Sequence, residues 1–247
     1  MFVSSRAIVL NKVKHTDHTF ILTLYTEAEG SVAFAARMPR SLSLKSRAAS
    51  HKPHLLQPLT IVTAEWDHRP TQQLQHLKDI QAHAVPQFGN IAISGNLIAE
   101  ALYHALKEEH QGDIFTFIHS SLATATDNGR QTAASDENFP VVFLLKLARH
   151  LGIAPHIPHP SRQTRDTYFD LINAEYTATL PQHKYYLLPY DARHIPLMLH
   201  LDYSTMHLLS LTPAERHRAL RVIAAYYRLH LPNFPQLRSL ELLGDML

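Results

Sequence analysis

The hydrophobic period of this chain changes once, near Asn90, and that change constrains the fold more than any single motif. Before it, short runs of β-branched and apolar residues alternate in period two: Ser5–Leu10, His18–Thr26, Ser31–Ala36, Leu59–Trp66 and Gln73–Ile80. In the second run Phe20, Leu22 and Leu24 fall on one face, and Ile21, Thr23 and Tyr25 on the other. Gly30 sits where a hairpin turn needs a positive φ. Five short strands in about 80 residues, with no helical period between them, predict a small closed barrel. After Asn90 the apolar residues recur at three and four, from Ile91 through Leu106, and the pattern returns from Asp113 to Thr126 and from Phe139 to Leu151. Thr212, Pro213 and Glu215 carry the cap chemistry of a long helix running to Leu231, where Pro232 stops it, and Gln236–Met246 reads as a short closing helix. The expected fold is therefore α+β. A five-stranded closed barrel over residues 1–82 precedes a helical domain over 83–247, with a small irregular hairpin insertion around 155–190.

Composition narrows the chemistry. There is no cysteine among the 247 residues, which removes disulfides, thiolate metal sites and cysteine nucleophiles. Seven glycines leave little material for phosphate-cradling loops, and no P-loop, GxGxxG, GxSxG or HExxH motif occurs. Three HxxH pairs, His15/His18, His51/His54 and His156/His159, are what chance supplies among 19 histidines, and none has a second pair at a metal-ligand spacing. Glu108 and Glu109 sit at a helix end as solvated charges. No enzyme, cofactor or metal is expected. The opening residues lack the apolar core of a signal peptide, and no window is apolar enough to span a membrane, so a cytoplasmic location is expected.

Net charge is close to neutral, but residues 1–80 hold 10 Lys/Arg against 6 Asp/Glu while residues 81–247 hold 13 against 15. Much of the basic excess lies between the third and fourth strands, where Arg37, Arg40, Lys45, Arg47 and Lys52 occur without an acid. This segment reads either as a solvated charge run or as a mobile loop that meets phosphates, as loops of OB-type barrels do. Lys12 and Lys14 would assist, and Phe20, Tyr25 or Phe34 would stack on bases if they faced outward. In the helical part, Lys146 and Arg149 lie three apart beside Phe143, Leu144 and Leu147. Either these are solvent-facing charges next to a buried helix, or they form a basic rim on a groove for an acidic peptide with an aromatic end.

Several segments in order resemble the RecO family of bacterial recombination mediators: Ala7–Leu10, the turn Lys14–Asp17, Leu22–Thr26, Gly30, Ala35–Arg37 and, at the other end, Tyr226–Pro232 followed by Leu237-Arg-Ser239. The resemblance covers essentially the whole chain. It implies an OB fold on a helical domain and a non-enzymatic protein, nucleoid-associated, acting in gap repair. Such a protein binds single- and double-stranded DNA, anneals complementary strands, engages the tail of single-strand-binding protein and, with RecR, helps load RecA. With the basic run read above, DNA contacts are expected at Lys12, Lys14, Arg37, Arg40, Lys45, Arg47 and Lys52, and the resemblance places tail contacts at Phe143, Lys146, Leu147 and Arg149. Two departures stand out. The four-cysteine zinc module of many relatives is absent, and Met38 replaces the usual glycine after the basic residue. The rival reading is a protein–protein adaptor whose barrel binds peptide.

Overall fold

The computed structural model describes residues 1–17, 19–37, 56–86, 92–107, 112–127, 133–155, 157 and 167–245. Strands β1 (Phe2–Thr16), β2 (Thr19–Thr26), β3 (Gly30–Arg37), β4 (Ile61–Asp67) and β5 (Leu74–Ala84) close a barrel in the order β1-β2-β3-β5-β4. All neighbours are antiparallel except β3 and β5. The expected barrel is therefore present, with one strand longer than its apolar run. β1 extends over 15 residues because it serves two partners: residues 2–8 pair with β4, and residues 7–16 pair with β2. A register shift between Val9 and Asn11 lets one strand turn this corner. Gly30 has φ 66°, and the Thr26 hydroxyl donates to its carbonyl at 3.0 Å while accepting from the Glu29 amide.

Alternation fills the barrel. Ala7, Val9, Leu22, Leu24, Phe34, Val62, Ala64, Trp66 and Ile80 form one buried cluster, and Phe34 meets Trp66 edge-on with ring centroids 5.2 Å apart. The opposite parity of β1 and β2 is also buried at Ile8, Leu10 and Tyr25. Helix α1 (Ala92–Ala105) packs on β1, and Phe115 of α2 (Gly112–Asp127) stacks on Tyr25 at 6.2 Å. Both helices thus belong to the barrel's compact unit, residues 1–131.

The second compact unit, residues 132–247, is built on α3 (Ala133–His150) and α6 (Pro213–His230), with α7 (Arg238–Asp245) against α6. Phe139, Phe143, Leu144, Leu147 and Tyr227 are buried, Phe139 stacks on Tyr203 with centroids 5.2 Å apart, and the Tyr227 hydroxyl of α6 donates to the Leu144 carbonyl of α3 at 2.7 Å. Helix α3 starts six residues before its apolar period does, inside a stretch read from sequence as a polar connection. Its polar first turns carry buried Asn138, whose amide donates to the Met206 and Leu209 carbonyls and whose oxygen accepts from Arg216 Nε. Arg216, 8% exposed, also pairs with Glu137 at 2.7 Å. A three-stranded sheet orders β7 (Glu175–Thr177), β6 (Tyr168–Asp170) and β8 (Tyr186–Leu187), followed by the short helices α4 (Pro189–Ala192) and α5 (Ile195–His200).

Two local devices give measurable predictions. The Thr212 side chain accepts from the Glu215 amide, and the Glu215 carboxylate accepts from the Thr212 amide and hydroxyl, a complete capping box. Thr212→Ala should therefore cost about 1 kcal/mol in urea denaturation. Asp170 accepts from the amides of Ile172 and Asn173 and from Asn173 Nδ2 at 2.7–3.2 Å, and its Oδ2 lies 3.3 Å from His183 Nε2. Burial pushes its carboxyl upward and is the largest single influence, but these hydrogen bonds together outweigh it and hold it below the usual aspartate range. A carboxyl whose folded value is depressed contributes stability above its unfolded value, about 3.9, and loses it as pH falls through the folded value. Asp170→Ala should cost about 1.5–3 kcal/mol near neutral pH, with wild type and variant converging in acid.

Candidate nucleic-acid interface

The two expected sites fare differently. At one rim of the barrel, the register pairs Lys14 with Phe20 and Lys12 with Leu22, and Phe20 in turn with Ala36. Residues directly opposite in an antiparallel pair point to the same side. Leu22 lies inside the barrel, so Lys12, Lys14 and Phe20 continue the inner face beyond the core, where the ladder outruns its filling. Lys12 Nζ stands 5.5 Å from the Phe20 ring centroid, as this shared face requires. Lys14 is exposed, and Lys12 and Phe20 are half-buried. Two cations and an aromatic on the concave end of a barrel are the parts a single strand needs: charge for phosphates and a flat apolar ring for a base.

Of the three aromatics weighed from sequence, only Phe20 is accessible. Phe34 is in the core and Tyr25 lies beneath α2, both fully buried. Lys14 Nζ contacts Asp17 Oδ1 at 2.9 Å, with side chains 61% and 87% exposed. Such a surface pair contributes little, so exchanging the aspartate for another anion costs little. Two further cations of the barrel, Arg6 and Lys78, are turned to other tasks. Arg6 makes a two-pronged pair with Glu27 at 2.7 and 2.9 Å and covers Phe115, and its hydrogen bonds hold the Glu27 carboxyl below the ordinary range. Lys78 pairs with Asp67 at 2.7 Å and lies over Phe2.

β3 ends at Arg37, whose backbone pairs with Thr19 beside the β1–β2 turn. The basic segment therefore leaves the barrel from the rim that carries Lys12, Lys14 and Phe20. Arg40, Lys45, Arg47 and Lys52 themselves lie outside the described residues. So do all members of the three HxxH pairs except His15, and among the described residues no three metal-ligating side chains converge.

On α3 the picture requires a correction. Phe143 and Leu147 are completely buried and offer no surface to a peptide. Four residues apart, they share the core face of α3, and the groove read from sequence is that face already filled. Lys146 makes an ion pair with Asp202 and lies 5.5 Å from the Tyr203 ring centroid. The pair, reinforced by the charge of Arg149, draws the Asp202 carboxyl downward. Arg149 is exposed overall, yet its guanidinium donates to the Leu199 carbonyl. Arg149 thus ties α5 to α3, and Lys146 ties the segment just after α5 to it. No helix among the described residues is long and apolar enough to cross a membrane.

These features can be set beside known proteins. A protein-family model described as the recombination protein O N-terminal domain matches residues 1–85, and one described as the C-terminal domain matches residues 91–241. The protein called DNA repair protein RecO in Bacteroides fragilis is 34% identical over 253 residues, covering 100% of this chain and 99% of that protein. Its namesake in Phocaeicola vulgatus is 32% identical over 251 residues with the same coverage, and that of Flavobacterium psychrophilum 27% over 256. With an OB-type barrel followed by a helical region, two matching domain models in order and full-length relatives above 30% identity, this chain belongs to the RecO family.

Proposed function

We propose that this chain is a non-enzymatic mediator of DNA repair and recombination that binds single- and double-stranded DNA without base readout and anneals complementary strands. The observation that carries the reading is the inner-face row Lys12, Lys14 and Phe20 at the open rim of the barrel, next to the origin of the basic segment. Arg37, Arg40, Lys45, Arg47 and Lys52 would extend this row along the backbone of a bound strand. Contacts of this kind are to phosphates and ring faces, which every sequence offers, so the protein should position DNA without reading it. Annealing follows from the same chemistry: two strands repel one another, and a cationic surface that holds both lowers that repulsion while leaving base edges free. The family relationship supports action with RecR and single-strand-binding protein in loading RecA. An acidic tail reaching the helical unit would meet Lys146 and Arg149 by displacing Asp202, and would find its apolar pocket elsewhere than at Phe143 and Leu147.

Fluorescence-quenching measurement of strand pairing tests the reading. Addition of the protein at low salt should accelerate annealing of unrelated complementary pairs about equally. An annealing rate equal to that of the strands alone would exclude it.

A further inference from the structure

Within the second unit, one face of α6 and the end of the small sheet enclose an open cleft of about 450 Å³. Its apolar lining is Leu171, Leu187, Val222 and Ala225, and its cations are Lys184, Arg218 and Arg221, with His217, Tyr185 and Tyr186 beside them and no carboxylate among the lining residues. Ala214, His217, Arg218, Arg221, Val222 and Ala225 recur at three and four, so a single helical face supplies more than half of the wall.

Within this cationic row, Lys184 Nζ stands 5.3 Å from the Tyr185 ring centroid at the side of the cleft, and the Thr212 hydrogen bonds, helped by the charge of Arg218, draw the Glu215 carboxyl downward. Lys184, Arg218 and Arg221 are exposed, and no ion pair among the described residues uses them. The nearest acid on the helix, Glu215, is held in its capping box by the Thr212 amide and hydroxyl. Arg216, one residue along, is the buried arginine that the fold does use. Exposed Arg228 prolongs the row on the same face, so Arg218 to Arg228 spans about 15 Å of helix axis at 1.5 Å per residue. The whole unit holds 11 Lys/Arg against 10 Asp/Glu, so this row is a local concentration within a balanced surface.

We infer that this cleft is a second contact for single-stranded DNA, with phosphates on Lys184, Arg218 and Arg221 and a base against Tyr185 or Tyr186. The inference rests on the DNA-binding reading above and deepens it, because a protein that pairs strands has use for two separate strand contacts. A linear row of cations beside two partly exposed aromatic rings fits a phosphate backbone with stacking bases. An acidic peptide ending in an apolar side chain would call for a closed apolar pocket with charge at one point, whereas this cleft is open and its charge is spread along a helix.

The test uses the full chain and a fluorescent oligothymidylate in a salt series, comparing wild type with Arg218→Glu/Arg221→Glu. The double variant should bind about tenfold more weakly near 0.1 M salt and lose about 1–1.5 units of salt slope, the share of two phosphate contacts on a single strand. Should the reversal lower the melting temperature, Arg218→Gln/Arg221→Gln replaces it, with a smaller loss of the same sign. Photocrosslinking of an iododeoxyuridine strand, mapped by mass spectrometry, should label Tyr185 or Tyr186. If wild type binds DNA and the variants bind it equally with unchanged slope, the cleft is no DNA site although the wider reading stands. If wild type does not bind DNA, both fall. Loss of acidic-peptide binding in the double variant, with DNA affinity unchanged, would overturn the inference in favour of a peptide site.

Discussion

Phe34→Ala should lower the stability of the barrel by about 3–5 kcal/mol, a large share of what holds a unit of this size together. Phe34 is fully buried on β3, and its ring meets Trp66 of β4 edge-on at 5.2 Å across the interior. Truncation removes the ring's transfer from water, its aromatic contact and the packing of every neighbour that borders the cavity left behind. The barrel closes through strands distant in sequence, so no local repacking can refill that space. The measurement has a built-in reporter. Trp66 is the only tryptophan of the chain and is itself fully buried, so its emission follows this unit alone. Urea titration should show the emission shift at a much lower midpoint in the variant, with the slope unchanged. A midpoint within a few tenths molar of wild type would mean that the Phe34–Trp66 contact does not hold the barrel.

The barrel was legible in the sequence because its interior obeys period two almost without exception. Leu22 and Leu24 face in, Tyr25 faces out, and Gly30 occupies the turn that needs it. What alternation could not convey was how far β1 runs. Lys12 to Thr16 is polar and exposed at nearly every position, and only the ladder to β2 shows that it is strand. The same shortfall left open whether Phe20 is accessible. Its parity was evident, but its exposure depends on the ladder outrunning the core, which is a property of closure and not of any one segment.

In the second unit the cap of α6 was readable from Thr212, Pro213 and Glu215, since capping chemistry is local. Asn138 was not, because a polar residue in a polar stretch looks like loop until its partners at Met206, Leu209 and Arg216 are known. The helices α4 and α5 span only 4 and 6 residues, too short for a period to register. Phe143 and Leu147 show the limit from the other side. Sequence gave them the right face of α3, but not whether that face was open or filled. The cationic row of α6 gives no motif signal either, because the cleft it lines also takes Lys184, Tyr185 and Tyr186 from β8 and the residues just before it, some 30 positions earlier.

The triple change Lys12→Glu, Lys14→Glu and Phe20→Ala should weaken single-strand binding by about a hundredfold or more, since it removes two phosphate contacts and a stacking platform of about 1–3 kcal/mol. Stability should change little by comparison, because Lys14 is exposed and its pair with Asp17 is a surface one. The loss should be nearly the same for unrelated sequences, since neither phosphates nor ring faces carry base identity.

The most direct check is therefore the salt dependence of binding, read by fluorescence anisotropy of one labelled oligonucleotide against wild type and this triple variant. If the barrel rim holds phosphates, wild-type affinity should fall linearly and steeply on a double-logarithmic plot against salt. The variant's line should then be lower at every salt concentration and flatter by about 1.4 units, or 0.7 for each of two single-strand contacts. Two parallel lines of equal affinity, or a wild-type affinity indifferent to salt, would contradict the assignment of the rim as the DNA-binding surface.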